Sequence, residues 1–244
     1  MLITRPMERH IHSFGRAAAT YNKAGELQRH VANELAKSFA PAPADADILE
    51  IGCGTGFLTE PLQRHYGGKA RYVITDKSIG MLASCTNAFH RAANVELLEM
   101  DGQDIHISGS FDVIATSMTV QWFDDAQKSL LDMQSRLKPG GTLHYATVGH
   151  DTFGEWADHL RARDLDFGMR PQPSTLPGLI RAEYIPRNYG SGKAFLDMLK
   201  ETGAGTPKPN YQRPSPRDFK KAVDAFDGRV TWHILYGRLD GPSL

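Results

Sequence analysis

The chain has 244 residues, enough for one α/β domain with additions, and its 28 basic and 28 acidic side chains give a net charge of zero. This balance argues against bulk binding to nucleic acid or to an anionic membrane, so we expect neither as a partner. The two cysteines, Cys53 and Cys85, lack the spacing of a metal-binding set, which predicts no metal site and a reducing, cytoplasmic location. No apolar run approaches the roughly 20 residues of a membrane helix, and the first ten residues lack the apolar core of a secretion signal.

Helices and strands alternate regularly over the first 150 residues. Apolar residues at helical spacing predict a helix over 24–39, which a proline-rich run at 41–44 ends. Five strands with three intervening helices then predict a parallel sheet with helices on both faces. The predicted strands cover 47–51, 71–76, 95–98, 111–117 and 142–148, and the predicted helices cover about 57–66, 79–91 and 124–137.

The last hundred residues are less regular. Residues 153–167 and 193–202 predict helices, a third helix opens at the proline-rich 214–218, and 229–237 predicts a final strand. The run 168–192 is rich in proline and glycine and predicts a loop or lid. The Lys-Pro-Gly-Gly run at 138–141 predicts a turn before the fifth strand.

A glycine turn follows the first strand and precedes a helix. Gly52, Gly54 and Gly56 permit backbone conformations and close approaches that a side chain would block. Turns that hold a pyrophosphate are spaced GxGxxG, whereas this one is GxGxG with Glu50 two residues upstream. An acid there would repel a pyrophosphate but attract an ammonium group. The turn therefore suits S-adenosylmethionine (SAM), which has an amino-acid head, a sulfonium and no phosphate, although such a turn can also be purely structural.

Two acids follow the next two strands. Asp76 ends the second strand, where a carboxylate can accept two hydrogen bonds from ribose hydroxyls, or where Asp76 or Ser78 can cap the following helix. Asp101 follows the third strand and can accept from an adenine amino group, or serve as a turn residue before Gly102. The ligand crevice of a parallel sheet lies at these strand ends, so the turn and the acids together favour a nucleoside site.

Residues 45–150 thereby resemble class I SAM-dependent methyltransferases, with Leu-Lys-Pro-Gly-Gly at 137–141 as a further matching segment. The resemblance implies a Rossmann-like α/β fold: a mainly parallel, seven-stranded-type sheet, helices on both faces and added helices forming a lid. It implies that the glycine turn with Glu50 holds the methionine part of SAM, that Asp76 holds the ribose and that Asp101 reaches the adenine. The other cofactor-binding candidates that it implies are Lys77, Met81, Gly102 and Ser117.

Segments outside this core narrow the resemblance. Residues 14–22, 119–123 and 147–156 are similar to segments of the malonyl-[acyl-carrier protein] O-methyltransferases of biotin synthesis, as are 193–205 and the final strand. The resemblance covers nearly the whole chain and implies a single domain. Its expected parts are an N-terminal helical cap over 1–44, the SAM-binding core over 45–150, and substrate-side helices, lid and final strand over 151–244.

One region departs from that family. The segment 168–190 is shorter than the corresponding segment expected for that family, and its sequence predicts no clear strand or helix. This segment helps to roof the substrate site, so the difference bears on substrate choice and on docking of the carrier protein.

The family resemblance implies methyl transfer from SAM to the free carboxylate of a malonyl thioester on acyl-carrier protein, leaving S-adenosylhomocysteine. The methyl ester would then prime pimeloyl and biotin synthesis. A carboxylic acid with a pKa near ~4 is already ionised at neutral pH, so no general base is needed. Tyr21 is our first catalytic candidate, because its hydroxyl could orient the carboxylate, and Gln121 and Trp122 after the fourth strand could position the substrate. Tyr21 and Trp122 could equally be packed core residues.

An arginine is expected to pair with the acceptor's carboxylate, and Arg16, Arg181 and Arg187 are the candidates. Arg16 could instead bind the SAM carboxylate. The basic stretch 208–221 could dock the acidic carrier protein or form an ordinary solvated face. A second candidate docking group consists of Arg161, Arg163 and Arg170.

Three alternatives compete with a malonyl acceptor. The first is a methyltransferase of the same fold that acts on another small acid or on a quinone-like ring. Methylation of a ring hydroxyl or carbon usually needs a general base, and no histidine or glutamate of this sequence is an obvious general base. The second is a SAM-binding protein without catalysis, and the intact glycine turn and Asp76 argue against it. The third is an NAD-dependent oxidoreductase, which the GxGxG spacing disfavours.

Overall fold

The computed structural model describes residues 25–85, 94–202, 208 and 210–243. Within these ranges lie seven strands and seven α-helices, with a short 3₁₀ turn at Val120–Trp122. The strands are β1 (Asp47–Ile51), β2 (Arg71–Asp76), β3 (Val95–Glu99), β4 (Phe111–Ser117), β5 (Leu137–Val148), β6 (Leu179–Asn188) and β7 (Arg229–Asp240). The helices are α1 (Glu26–Ala36), α2 (Thr59–Tyr66), α3 (Ile79–Cys85), α4 (Ala126–Gln134), α5 (Gly154–Arg161), α6 (Gly192–Glu201) and α7 (Pro216–Asp224).

All seven strands form one sheet in the order β3-β2-β1-β4-β5-β7-β6. The first five pair in parallel, and β7 lies antiparallel between β5 and β6. This arrangement confirms the predicted Rossmann-like class. The chain winds outward from β1 to β3 in one direction and from β4 to β5 in the other, so the direction switches between β1 and β4. A crevice at the carboxyl ends of these two strands is therefore expected to bind the ligand.

Apolar residues cover both faces of the sheet. On one face, the fully buried Val31 and Leu35 of α1 belong to the same cluster as Ile48 of β1, which confirms the predicted apolar stripe of this helix. On the other face, Leu49 of β1 clusters with Leu130 of α4. Because both faces are covered, the central strands β1 and β4 are almost continuously buried.

The prediction that 168–192 contains no strand is wrong, because β6 occupies Leu179–Asn188. The strand lies at the edge of the sheet and pairs only with β7. Proline has no N–H to donate, but an edge strand leaves one side unpaired, so Pro186 fits opposite Thr231. Most of the strand is exposed, which explains why its sequence lacks the apolar pattern of a buried strand.

The predicted turn at 138–141 is also corrected, because strand pairing runs through it. Leu137 pairs with Phe111, and the next pair joins Thr142 to Val113, so the Lys-Pro-Gly-Gly run forms an irregularity inside β5. Gly140 has a φ of +76°, which a β-carbon would disfavour. The same sequence therefore makes a bulge rather than the end of a strand.

The substrate-side helices meet around one aromatic residue. Phe195 of α6 is fully buried, and its ring centroid lies 5.0 Å from that of Phe153, 6.0 Å from that of Trp156 and 6.1 Å from that of Phe226. These contacts join α5, α6 and the end of α7 to the sheet. Helix α5 ends at Arg161, earlier than the predicted 167.

Replacing Phe195 with alanine should leave a cavity in this cluster and lower the free energy of unfolding by about 3–5 kcal/mol. Urea unfolding followed by circular dichroism would measure the loss. Ile180→Ala, at a side chain that is 61% exposed, is the matched control and should change stability by no more than about 0.5 kcal/mol. Equal stabilities of the Phe195 and Ile180 variants would contradict the packing role of Phe195.

Candidate cofactor and active site

A cleft opens at the carboxyl ends of β1, β2 and β4, where the switch in winding direction places it. It contains about 1020 Å³ of space, including open solvent at its mouth. Eight of the predicted cofactor-binding residues line it: Gly52, Gly54, Asp76, Lys77, Met81, Asp101, Gly102 and Ser117. The structure therefore brings together residues that are up to 65 positions apart in the chain, from Gly52 to Ser117.

The end of β2 holds the glycine turn in place. The N–H groups of Gly52 and Cys53 both donate to the carbonyl of Thr75, each at 2.9 Å, and the N–H of Gly54 donates to Oδ2 of Asp76 at 2.9 Å. Gly52 has a φ of +73°, and a β-carbon on it would lie 2.3 Å from Oγ1 of Thr119. Only glycine satisfies both the conformation and the close approach at this position.

Asp76 accepts hydrogen bonds both from the start of the following helix and from the glycine turn. Its Oδ1 accepts the N–H of Ser78 at 2.8 Å, as in a helix cap, while Oδ2 accepts the turn's Gly54. Burial raises the pKa of this carboxyl, and the backbone N–H donors oppose the rise. Each carboxylate oxygen has two lone pairs, so both oxygens can accept a further hydrogen bond from a ligand in the cleft.

Asp101 lies in the cleft in an ion pair with Lys77, whose Nζ is 2.5 Å from Oδ2 of Asp101. Its Oδ1 accepts the N–H of Gln103 at 3.0 Å. Met81 and Phe123 give the same cleft apolar surface. A polar edge beside apolar surface suits an adenine ring, which has both a flat face and hydrogen-bonding groups.

Glu50 is fully buried directly behind the turn and does not line the cleft. Among the described residues, neither of its carboxyl oxygens has a hydrogen-bond partner. Burial raises the pKa of this carboxyl to about 8, the nearby Thr59 hydroxyl opposes the rise, and the charge of Asp76 adds to it. At neutral pH the carboxyl is therefore mostly protonated. Gly56 also lies outside the cleft lining and closes the turn by donating its N–H to the Cys53 carbonyl at 2.9 Å.

The predicted catalytic residues have different outcomes. Tyr21 lies outside the described residues, as does Arg16. Trp122 lines the cleft, as expected. Gln121 is not among the residues that line the cleft, and its amide is hydrogen-bonded within the protein. Its Nε2 donates to the Met118 carbonyl at 2.8 Å, and its Oε1 accepts from the Thr147 hydroxyl at 2.9 Å, so it fixes the 3₁₀ turn to β5.

Several cleft residues were not predicted. Gln28 of α1 is 8% exposed, lines the cleft and has no hydrogen-bond partner for Oε1 within the described part of the chain. A polar residue on the apolar stripe of a helix was the available signal. Met118, with a φ of +55°, gave no such signal because no local sequence rule places methionine in a left-handed conformation. The remaining unpredicted residues include Phe57, Thr119 and Phe123.

The candidate arginines with described positions already have carboxylate partners. Arg181 stacks 3.7 Å from the centroid of Tyr236 and pairs with Glu34 and Glu183, while Arg187 lies 3.8 Å from Glu26. These contacts do not favour either of them as the residue that binds the acceptor.

The proposed docking groups are also largely ion-paired. Within the described part of 208–221, the lysines each lie beside an acid: Lys208 beside Asp166, Lys220 beside Asp224, and Lys221 beside Asp218. In the second group, Arg161 pairs with Asp158 and Arg170 with Asp124. The solvated-face interpretation therefore has more support than a free basic patch.

No set of three or more histidine, cysteine or carboxylate side chains that could hold a metal ion is found in the described ranges. No described helix is long and apolar enough to cross a membrane.

Comparison with known proteins first defines the class. Residues 48–141 match the methyltransferase domain family. The YcgJ protein of Bacillus subtilis has a similar fold, with a TM-score of 0.60 and 16% identity over 88% of this chain and 99% of that one. The NodS N-methyltransferase of Bradyrhizobium japonicum, solved with S-adenosylhomocysteine, gives a TM-score of 0.55 and 16% identity over 96% and 100%. The domain-family match and the shared fold define the class as a protein with a methyltransferase fold.

The sequence relatives then define the family. The chain is 35% identical to the malonyl-[acyl-carrier protein] O-methyltransferase of Magnetococcus marinus, over 92% of this chain and 89% of that protein. It is 31% identical to the Priestia megaterium protein of the same name, over 91% and 93%. It is also 33% identical to the biotin biosynthesis bifunctional protein BioCD of Bordetella avium, over 94% of this chain and 51% of that protein. The chain belongs to the malonyl-[acyl-carrier protein] O-methyltransferase family.

Replacing Gly52 with alanine should abolish measurable SAM binding, because the new β-carbon would displace Thr119 and the turn. Gly67→Ala is the matched control, since Gly67 has a similar φ of +78°, lies outside the cleft lining and has no atom within 4 Å of its ideal β-carbon position. The control should cost only the backbone strain of a side chain at φ +78° and ψ −180°, on the order of 1–3 kcal/mol of stability, with SAM affinity unchanged. Isothermal titration calorimetry would compare them, and wild-type affinity of the Gly52 variant would contradict the steric argument.

Replacing Glu50 with glutamine should remove a pH dependence of stability in the SAM-free protein. Because the folded pKa of about 8 lies above the unfolded value of 4.5, the folded state keeps a proton that the unfolded state has lost. Wild-type stability should therefore fall as pH rises from 5.5 to 8, by on the order of 3 kcal/mol more than in the glutamine variant. Urea unfolding at several pH values would measure this, and parallel curves for the two proteins would refute it.

Proposed function

We propose that this protein transfers a methyl group from SAM to the free carboxylate of a malonyl thioester on acyl-carrier protein. The extent of the family match carries the proposal. Relatives named for this reaction align with 91–92% of the chain at 31–35% identity, well beyond residues 48–141 that form the general methyltransferase domain. The product would be the methyl ester that primes pimeloyl synthesis on the way to biotin.

The cleft fits SAM in its chemistry. Asp76 and Asp101 lie in the cleft, where their carboxylates would repel the pyrophosphate of a dinucleotide. In this proposal Asp76 accepts from the ribose hydroxyls and Asp101 from the adenine amino group. The glycine turn, with Ser117 nearby, holds the amino-acid end, and the unpartnered Glu50 carboxyl ionises when an ammonium group lies close to it. Lys77, Met81 and Gly102 complete the lining around the nucleoside.

When bound, SAM supplies an electrophilic methyl group on a sulfonium, and its transfer to a carboxylate oxygen leaves S-adenosylhomocysteine. The protein's contribution is alignment and exclusion of water, because a carboxylate with a pKa near ~4 needs no base at neutral pH. Phe57, Met118 and Trp122 give the cleft apolar walls. A dry site favours the reaction, since a cation and an anion combine into neutral products.

Esterification also explains the purpose of the reaction. The free end of a malonyl unit is charged, and an unpaired carboxylate is costly to bury in an apolar elongation site. A methyl ester removes the charge, so the unit can enter chain elongation as a primer. The acidic carrier protein and a cytoplasmic location belong to the same proposal.

Incubation with methyl-labelled SAM and malonyl-[acyl-carrier protein], followed by mild base, should release volatile labelled methanol. Asp76→Ala should weaken SAM binding about tenfold or more, because it removes an ionised acceptor. Asp132→Ala, on the exposed face of α4, is the matched control and should leave both affinity and activity unchanged.

Three outcomes would contradict the proposal. Label that survives mild base would indicate methylation of a ring or another non-ester group. Methanol release from another small acid, but not from the malonyl carrier, would change the acceptor. Unchanged SAM affinity in the Asp76 variant would remove the assigned cofactor site.

A further inference from the structure

We propose that Arg29 of α1 binds the carboxylate of the methyl acceptor, an inference that rests on the proposed function. Arg29 lies beside the mouth of the cleft. Its guanidinium carbon is 4.4 Å from the centroid of the Phe57 ring, and Phe57 lines the cleft. The preceding residue, Gln28, also lines the cleft, so the start of α1 forms part of its rim.

Arg29 differs from the other cations near the cleft in having no carboxylate partner among the described residues. Arg170, which donates to the carbonyl of the cleft residue Trp122 at 3.1 Å, pairs with Asp124. Lys77 inside the cleft pairs with Asp101. In the described part of the chain, no carboxylate lies within ion-pair distance of Arg29, and its side chain is exposed. Among the described residues, it is therefore a cation beside the cleft whose charge no carboxylate neutralises.

The stacking geometry suits a carboxylate ligand. A guanidinium that lies over an aromatic ring uses its face for that contact and keeps its N–H donors at the edge, in its own plane. These donors match the oxygens of a carboxylate. Phe57 thus restricts the guanidinium to the rim without neutralising it, so little further ordering is needed when an anion binds.

This assignment gives Arg29 a role in specificity and in release. An acceptor with a free carboxylate gains a charge-assisted hydrogen bond, whereas an acetyl thioester of similar size gains none. The methyl ester is neutral, so the product loses this interaction as soon as it forms. Arg29 would therefore favour the acid over its own product.

The test uses the full-length protein with Arg29→Gln, Arg29→Lys and the matched control Arg64→Gln, an exposed arginine on α2 that pairs with Glu60. We expect Arg29→Gln to raise the KM for malonyl-[acyl-carrier protein] about tenfold or more, with the SAM Kd changed by less than about twofold. Inhibition by acetyl-[acyl-carrier protein], which lacks the carboxylate, should be unchanged. Arg29→Lys should recover part of the loss, and the control should behave as wild type.

The outcomes separate this inference from the proposed function. If wild type forms no malonyl methyl ester, the proposed function is wrong and this assignment falls with it. If wild type is active and Arg29→Gln has an unchanged KM, only the assignment of Arg29 is wrong. It is also wrong if Arg29→Gln weakens inhibition by acetyl-[acyl-carrier protein] as much as it raises the KM for the malonyl carrier, because Arg29 would then contact the carrier itself. A rise in the SAM Kd of the variant would likewise contradict the assignment, because Arg29 would then bind the cofactor.

Discussion

The site depends on a few hydrogen bonds that tie the turn after β1 to the end of β2. The carbonyl of Thr75 accepts two consecutive N–H groups from the turn, and the carboxylate of Asp76 accepts a third. These bonds connect adjacent residues at the end of one strand to a loop that has no regular structure of its own. Because Asp76 also begins the turn into α3, one acid aligns the loop, the strand end and the helix start. Glu50 lies enclosed behind this loop, and neither of its carboxyl oxygens has a hydrogen-bond partner in the parts of the chain that the structure describes.

Much of this site could be predicted from sequence because it is built from local signals at strand ends. A parallel sheet places the carboxyl ends of its strands along one edge, so glycines and acids that follow successive strands must meet there. Eight of the predicted cofactor-binding residues line the cleft for this reason. Glu50 near the end of β1 and Gly56 in the turn do not line the cleft, and Glu50 is buried because both faces of the sheet are covered at β1.

Several features that the sequence analysis did not predict involve partners distant in sequence. Gln121 follows β4 like a substrate-binding residue, but its amide bonds to Met118 and to Thr147 of β5, which sequence alone does not place beside it. The edge strand β6 was missed because its exposed residues and Pro186 are explained only by its position beside β7. Arg29 was overlooked because its stacking on Phe57 joins α1 to the start of α2, two elements that are separated by β1. Local pattern indicates where an element lies, whereas its neighbours decide what each side chain does.

The position of β7 has a consequence for how the molecule is made. Arg229–Asp240 lies between β5 and β6 in the sheet although it follows both in the chain. During synthesis, β5 and β6 emerge long before the strand that joins them, so each has a side with no hydrogen-bond partner until β7 is added. Pairings between residues so far apart in sequence form slowly, because a long loop must close first. The nucleoside cleft can assemble from strands made early, whereas β6 joins the sheet only when the last strand arrives.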